Sequence, residues 1–575
     1  NNTIKITDPT NGTAAYYDDW SKAIAAVNAI ETNDVINVNC KADEEITASG
    51  SHDAIKNSVN IEGNGARLMQ SDLTIEHFET GALTKDISVT VNNLTGANVW
   101  GTRNTDKTAD ITVTNCKDVK LILVLGKGDL GKTNVTLDNC SFAATDDTTV
   151  YLKTAGTTVI KNCTFKSVGR VAVNITKETN GEQNVSVTGC TFKDCATDAG
   201  SDYAAPIRFV NRADGNINAT VADCTITGTL ATNGDVLLGD GRNDQISNPN
   251  VSLKISGTAA EIQVQEPGKR TTPTVKKKVT AEESEVLEIP AAVEVNGAKY
   301  ATLKDALAAA VAGDTVTIFG KVAVEPHMLA DKKLTFNGKG ETAEMTFVDG
   351  LFEQGTTNNA YFANGSTLTF NNLKVTWKDT ENYQGLRHAT EVQYNNCVIS
   401  GQLFLYGKTE TFNNCKFVQT ASNAYNVWAY GADLTTFNDC QFESTGKSVL
   451  VYNEGALTAG NVSVKKCTFS ASSPIDGKAA IEVDSRNTDY NIDIDAETTA
   501  TGFGTGSTSG NSLYNVKYYK VVTDTTDNSK RLNTEIKVNG EVVMPLSPEK
   551  MAEEFGQSVA KVGSKVYTTL KDTVK

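Results

Sequence analysis

The stretch Val113-Thr114-Asn115-Cys116 decides how this chain reads, because its phrase keeps returning. Asn139-Cys140-Ser141-Phe142, Asn162-Cys163-Thr164-Phe165, Gly189-Cys190-Thr191-Phe192 and Asp223-Cys224-Thr225-Ile226 follow it. A second set holds Asn396-Cys397-Val398-Ile399, Asn414-Cys415-Lys416-Phe417, Asp439-Cys440-Gln441-Phe442 and Lys466-Cys467-Thr468-Phe469. Successive cysteines lie 24, 23, 27 and 34 residues apart in the first set (140−116, 163−140, 190−163, 224−190). In the second the intervals are 18, 25 and 27 (415−397, 440−415, 467−440). A short polar-Cys-x-apolar phrase recurring about every two dozen residues marks a solenoid. The asparagine belongs to a turn, the cysteine to the core, and the aromatic two residues on to a stacked row.

Composition agrees with that reading. The 575 residues carry a net charge of −16, and only 21% are charged. Short runs rich in Val and Thr between Asn, Gly and Asp turns suit many brief strands. The acidic balance argues against nucleic acid as a partner and against an anionic membrane surface. No apolar run of about 18 residues is present to span a bilayer. None of the eleven cysteines lies in a C-x-x-C pair, and the closest two, Cys190 and Cys195, are five apart. That spacing speaks against a zinc knuckle. Cys116, Cys140, Cys163, Cys190, Cys397, Cys415, Cys440 and Cys467 are expected to form a ladder of reduced, buried thiols about 4.8 Å apart. So many reduced cysteines fit an exported protein of an anaerobe better than one of an aerobe. The opening Asn1-Asn2-Thr3 reads as a trimmed chain.

Organisation follows from a second periodicity. Asp18-Asp19-Trp20 through Val27 has helical spacing of its apolar residues, and Tyr300-Ala301-Thr302-Leu303-Lys304-Asp305-Ala306-Leu307 restates it. Offsets between matching landmarks are 275 (Gly63 to Gly338), 279 (Asn93 to Asn372), 281 (Cys116 to Cys397) and 275 (Cys140 to Cys415). Cys163 to Cys440 and Cys190 to Cys467 both give 277. The chain is therefore a tandem duplication: unit 1 over 1–265, a Pro- and charge-rich linker over 266–290, and unit 2 over 291–545. Residues 546–575 begin a third unit or dock onto a neighbouring subunit, through Val566, Tyr567 and Leu570. The expected fold class is an all-β solenoid of two parallel β-helix units, each opened by a short capping helix that covers one end of its core.

The phrases ending in N-C-x-F and the opening Tyr300-Ala301-Thr302-Leu303-Lys304-Asp305-Ala306, followed by Gly313-Asp314-Thr315-Val316, resemble right-handed parallel β-helices of the pectin-lyase-like fold. The unit opening is similar to that of repeats in large surface proteins and adhesins of gut Firmicutes and their neighbours. The resemblance covers nearly the whole chain. It implies right-handed coils, a bacterial extracellular or cell-surface setting, and a non-catalytic role.

Catalytic motifs hosted by that fold are not assembled in the sequence. Asn104-Thr105-Asp106 and Asn487-Thr488-Asp489 are tripeptides of ordinary loop residues, and Asp146-Asp147 reads as a solvated turn. None of His52, His77, His327 and His388 lies between glycines. Arg208 and Arg212 follow Pro206-Ile207, and Arg486 stands in unit 2 where Arg212 stands in unit 1; such arginines clamp turns or carbonyls. No cofactor is expected; calcium could find carboxylates at Asp240-Gly241-Arg242-Asn243-Asp244 or Asp493-Ile494-Asp495-Ala496-Glu497. Binding would instead use exposed aromatics, whose faces stack on sugars. Trp377, Tyr406, Trp428 and Tyr430 are the candidates, and Tyr406-Gly407-Lys408 stands where unit 1 has Leu125-Gly126-Lys127. The expected function is a structural or adhesive surface protein or a filament subunit. Its partners would be head-to-tail copies of itself, or glycans and proteins of host or bacterial surfaces. A carbohydrate-binding or polysaccharide-degrading protein is the alternative.

Overall fold

Each Asn-Cys phrase ends one strand and turns the chain into the next. The strand Ala109–Thr114 stops at Asn115, whose backbone is left-handed with φ 53°. Asn139, Asn162, Asp223, Asn396, Asn414 and Asp439 repeat that turn with φ between 50° and 53°, and Gly189 does so at 62°. Only Gly, Asn and Asp enter this region readily, which accounts for the residue before each cysteine. Lys466 is the exception at φ 54°. Lys466→Gly should therefore raise the melting temperature of unit 2, by a stabilisation of about 1 kcal/mol; an unchanged or lower melting temperature would contradict that.

A computed structural model describes residues 2–48, 54–70, 77–80, 83–101, 106–241, 247–265, 275–325, 327–347, 363–377, 384–452, 459–484, 489–516, 534–544, 560–562 and 565–567. Among these the chain is all β apart from two short helices. It divides into compact units 1–291 and 292–575.

Strand pairing reproduces the cysteine intervals. In unit 1 Val113 pairs with Leu137, Leu137 with Ile160, Ile160 with Val187 and Val187 with Val221, all parallel. Those steps are 24, 23, 27 and 34 residues, the same as between the cysteines. In unit 2 Tyr394 pairs with Phe412, Phe412 with Phe437, and Phe437 with Val464, giving steps of 18, 25 and 27. Each unit thus has a solenoid-like arrangement. Parallel sheets of 12, 9 and 3 strands build unit 1, and sheets of 12, 8 and 5 build unit 2, closing antiparallel strands included.

Inside, like side chains meet like from coil to coil. All eleven cysteines are buried and free, and burial pushes the Cys40 and Cys195 thiols up to about 12. Phe142, Phe165 and Phe192 stack at 4.4 and 4.9 Å. Phe336, Phe370, Tyr394, Phe412 and Phe437 form a longer row at 4.8–5.2 Å. At the turn, amides repeat the pattern: Asn139 Nδ2 donates to Asn115 Oδ1 at 2.7 Å, and Asn414 Nδ2 to Asn396 Oδ1 at 2.8 Å.

The ends are closed in a consistent way. Helix α1 (Trp20–Ala29) is capped by Asp19, which accepts from Lys22 N at 3.0 Å. Helix α2 (Leu303–Ala309) is capped by Thr302, which accepts from Asp305 N at 3.2 Å. Trp20, Ala23, Ile24 and Val27, like Leu303, Ala306 and Leu307, are buried against the core of their unit. Both twelve-stranded sheets begin and end on antiparallel strands. Ile4–Thr7 and Ser284–Glu288 flank one; Val293–Val295 and Glu541–Met544 flank the other.

The described strands bear on two of the expected segments. Over its described part the linker 266–290 is strand: Val275–Val279 and Ser284–Glu288 lie antiparallel on the last parallel strands of unit 1. Val279 is buried and Leu287 packs partly buried against the core, apolar contacts that the charge count alone concealed. In 546–575, Ala560–Val562 and Lys565–Tyr567 form a hairpin with the same register as Val293–Val295 and Ala298–Tyr300. Val566 and Tyr567 lie in its second strand, and Leu570 lies outside the described residues.

Candidate functional site

The corners of three successive coils in unit 2 enclose a cleft of about 400 Å³. His388, Ala389 and Thr390 come from the first coil, Tyr406, Gly407 and Lys408 from the second, and Gly431 and Asp433 from the third. Backbone bonds fix the corners to one another. His388 N donates to Tyr406 O, Lys408 N to Ala389 O, Gly431 N to Leu405 O and Asp433 N to Lys408 O, each at 2.9 Å. Ala389 and Gly407 are 18 residues apart, as are Cys397 and Cys415. The cleft therefore opens at the shortest interval between the repeated cysteines.

Tyr406 forms the aromatic wall. The Arg387 guanidinium lies 4.5 Å from its ring centre, and the edges of His388 and Tyr430 meet it at 4.9 and 5.5 Å. Gly431 supports the ring from the backbone, since a Cβ there would fall 1.7 Å from a Tyr406 ring carbon. At Gly126 of unit 1, which stands where unit 2 has Gly407, a Cβ would meet the Thr179 hydroxyl at 1.9 Å, so that corner is filled.

Polar side chains surround this cleft. Lys408 and Asp433 are exposed, and among the described residues neither makes an ion pair and Arg387 Nε finds no hydrogen-bond acceptor. Burial and the Arg387 charge hold His388 below its ordinary value, so its imidazole is neutral at neutral pH. The arrangement offers an aromatic face, two cations, one carboxylate and the Thr390 hydroxyl to a polar ligand.

The expected aromatics do not all gather here. Tyr406 lines the cleft and Tyr430, buried at 8% exposure, backs it. Trp428 is half-buried outside the lining, 6.1 Å from Phe404 and 6.2 Å from Tyr425. Trp377 is a correction: it is 2% exposed and stacks on Phe347 at 3.9 Å inside the core. Its parity matches the inward Val375 two residues before. His388, Thr390, Lys408 and Asp433 were not expected, because each is an unremarkable loop residue until the 18- and 25-residue steps align the corners.

The arginines of unit 1 are committed elsewhere. Arg208, 1% exposed, donates to Asp240 at 3.0 Å, and Arg212 bonds both Asp240 and Glu178. Lys153 reaches Glu178 at 3.2 Å, so five charges chain across successive coils. Asp240 is therefore an ion-pair partner rather than the start of a cation loop, and residues 242–246 lie outside the described set. Asp495 accepts from Lys466 N and Thr498 N, which makes it a turn residue. Among the described residues no group of three His, Cys, Asp or Glu is placed to hold a metal ion. Residues 102–105 and 485–488, with most of the two Asn-Thr-Asp tripeptides, also lie outside the described set.

Comparison with family models finds none that matches the chain, and comparison with curated proteins finds no match.

Proposed function

We propose that this chain is a non-catalytic adhesive protein of the bacterial surface, built from two tandem right-handed parallel β-helix units of pectin-lyase-like type, whose unit 2 cleft binds a glycan. The observation that carries this reading is the cleft itself: a backbone-supported Tyr406 ring, with the Arg387 guanidinium over it and the Lys408 and Asp433 side chains on the lining. Sugar sites combine an aromatic platform with a few fixed polar groups. A glycosidase needs two carboxyl groups flanking the bond to be cut. Among the described residues Asp433 is the one carboxylate lining the cleft, which favours binding over cleavage.

The filament reading has less support. Each twelve-stranded sheet ends on antiparallel strands, which do not continue the parallel register that head-to-tail stacking of coils would extend. Docking through Val566, Tyr567 and Leu570 would need a different surface.

A glycan array with the full chain tests the proposal, with Gly431→Ala and Tyr406→Ala as controls. Wild type should retain a defined glycan class. Gly431→Ala should weaken it at least about tenfold, since the new methyl drives the Tyr406 ring off its seat. No reducing ends or unsaturated products should appear. Binding unaffected by both variants would remove the cleft from the account, and reproducible turnover would remove the non-catalytic reading.

A further inference from the structure

Glu410 occupies a place meant for an apolar residue. It sits in the inward column Leu334, Leu368, Val392, Glu410, Thr435, Val462, Ile492 and Ile536 of the long sheet of unit 2. The matching residue of unit 1, 275 positions earlier, is Val135. Glu410 is 1% exposed and makes no salt bridge among the described residues. Its Oε1 accepts instead from Gly407 N at 2.8 Å, in the wall of the cleft, and the Tyr406 N–H also points at it. Gly407 carries nothing between carboxyl and cleft: a Cβ there would lie 2.9 Å from Oε1.

We infer that Glu410 is a positioning residue that holds the Tyr406-Gly407-Lys408 rim and makes ligand binding in the cleft respond to pH; this rests on the binding reading above. The neutral carboxyl accepts the rim N–H groups and tolerates its apolar column. The ionised form places an uncompensated charge between Val392 and Thr435, and its shortest path to water passes Gly407. Relief of that charge moves the rim. Burial pushes the group up to about 8 against the lowering effect of the two N–H donors, so the change falls near that pH.

Other titrating groups face it from the neighbouring elements. The Tyr394 phenol faces it, and the Cys397 and Cys415 thiols lie near that phenol. His388, Lys408 and Asp433 lie across the rim. His388 is held below its ordinary value, so it does not produce a transition near pH 8.

The native thiols are all buried, so Lys408→Cys in the full chain gives one accessible thiol for an environment-sensitive fluorophore. Its emission should change with a midpoint near pH 8 and should be flat in that range when Glu410→Gln is added. Glutamine keeps an acceptor for Gly407 N but does not titrate. Glu410→Val, which removes the acceptor, should displace the emission at every pH. An identical response with and without Glu410→Gln, or no response in either, would overturn the inference. For a glycan retained on the array, affinity should fall about tenfold between about pH 6 and pH 9 and stay level in Glu410→Gln. If no glycan binds at any pH, the binding reading fails while the fluorophore still decides the role of Glu410.

Discussion

Asp240→Asn should destabilise unit 1 by about 3–5 kcal/mol, the range for removing one partner of a buried ion pair. Asp240 is fully buried and answers two guanidinium groups, and Arg208 beside it is 1% exposed. Asparagine preserves shape but takes from the buried Arg208 charge the carboxylate that answers it at 3.0 Å. Arg212 suffers less, because it reaches Glu178 at 3.4 Å and is partly exposed. Combining Asp240→Asn with Arg208→Met should recover much of the loss, since replacing a buried pair by apolar groups is often close to neutral. Urea denaturation of the full chain should show the transition of unit 1 displaced and that of unit 2 in place. A displacement worth less than about 1 kcal/mol would mean that water reaches the pair.

The second large effect concerns pH. Glu410 has its folded value raised from 4.5 to about 8 by burial. The folded state thus holds the proton more tightly than the unfolded chain between those values. Its contribution is fully present below about pH 4.5 and is lost as pH rises through about 8. Each tenfold difference in proton affinity between the folded and unfolded chain is worth about 1.4 kcal/mol, so the loss across the window amounts to a few kcal/mol. Glu410→Gln removes the titrating group. The variant should match the wild type near pH 4.5 and be a few kcal/mol more stable near pH 8.5. Melting temperatures of unit 2 at the two pH values check this; a variant that tracks the wild type throughout would contradict it.

Much of the architecture could be read from one dimension. The Asn-Cys intervals are the strand-pairing steps, because a parallel solenoid turns sequence spacing directly into register. The left-handed turn explains the asparagine, and burial explains the cysteine. The capping helices announced themselves through the helical spacing of their apolar residues, and Asp19 and Thr302 cap them.

Other features lay in the sequence but needed the parity of a strand. Glu410 is two residues from the inward Phe412, and Trp377 two from the inward Val375; period two places all four inside. The cleft was harder. His388, Lys408 and Asp433 become neighbours only when three coils of unequal length are laid on one another. The Lys153–Arg208 charge chain draws on strands of several coils in the same way. Its Asp240 read locally as a cation ligand because the two arginines that neutralise it lie 28 and 32 residues earlier.

Hydrogen exchange of the full chain with and without an array-selected glycan tests the central claim most directly. Three stretches separated in sequence, 386–390, 404–410 and 429–434, should gain protection together, and unit 1 should be unaffected. Protection confined to one of the three, or appearing elsewhere in their place, would contradict a binding site built by the alignment of three coil corners.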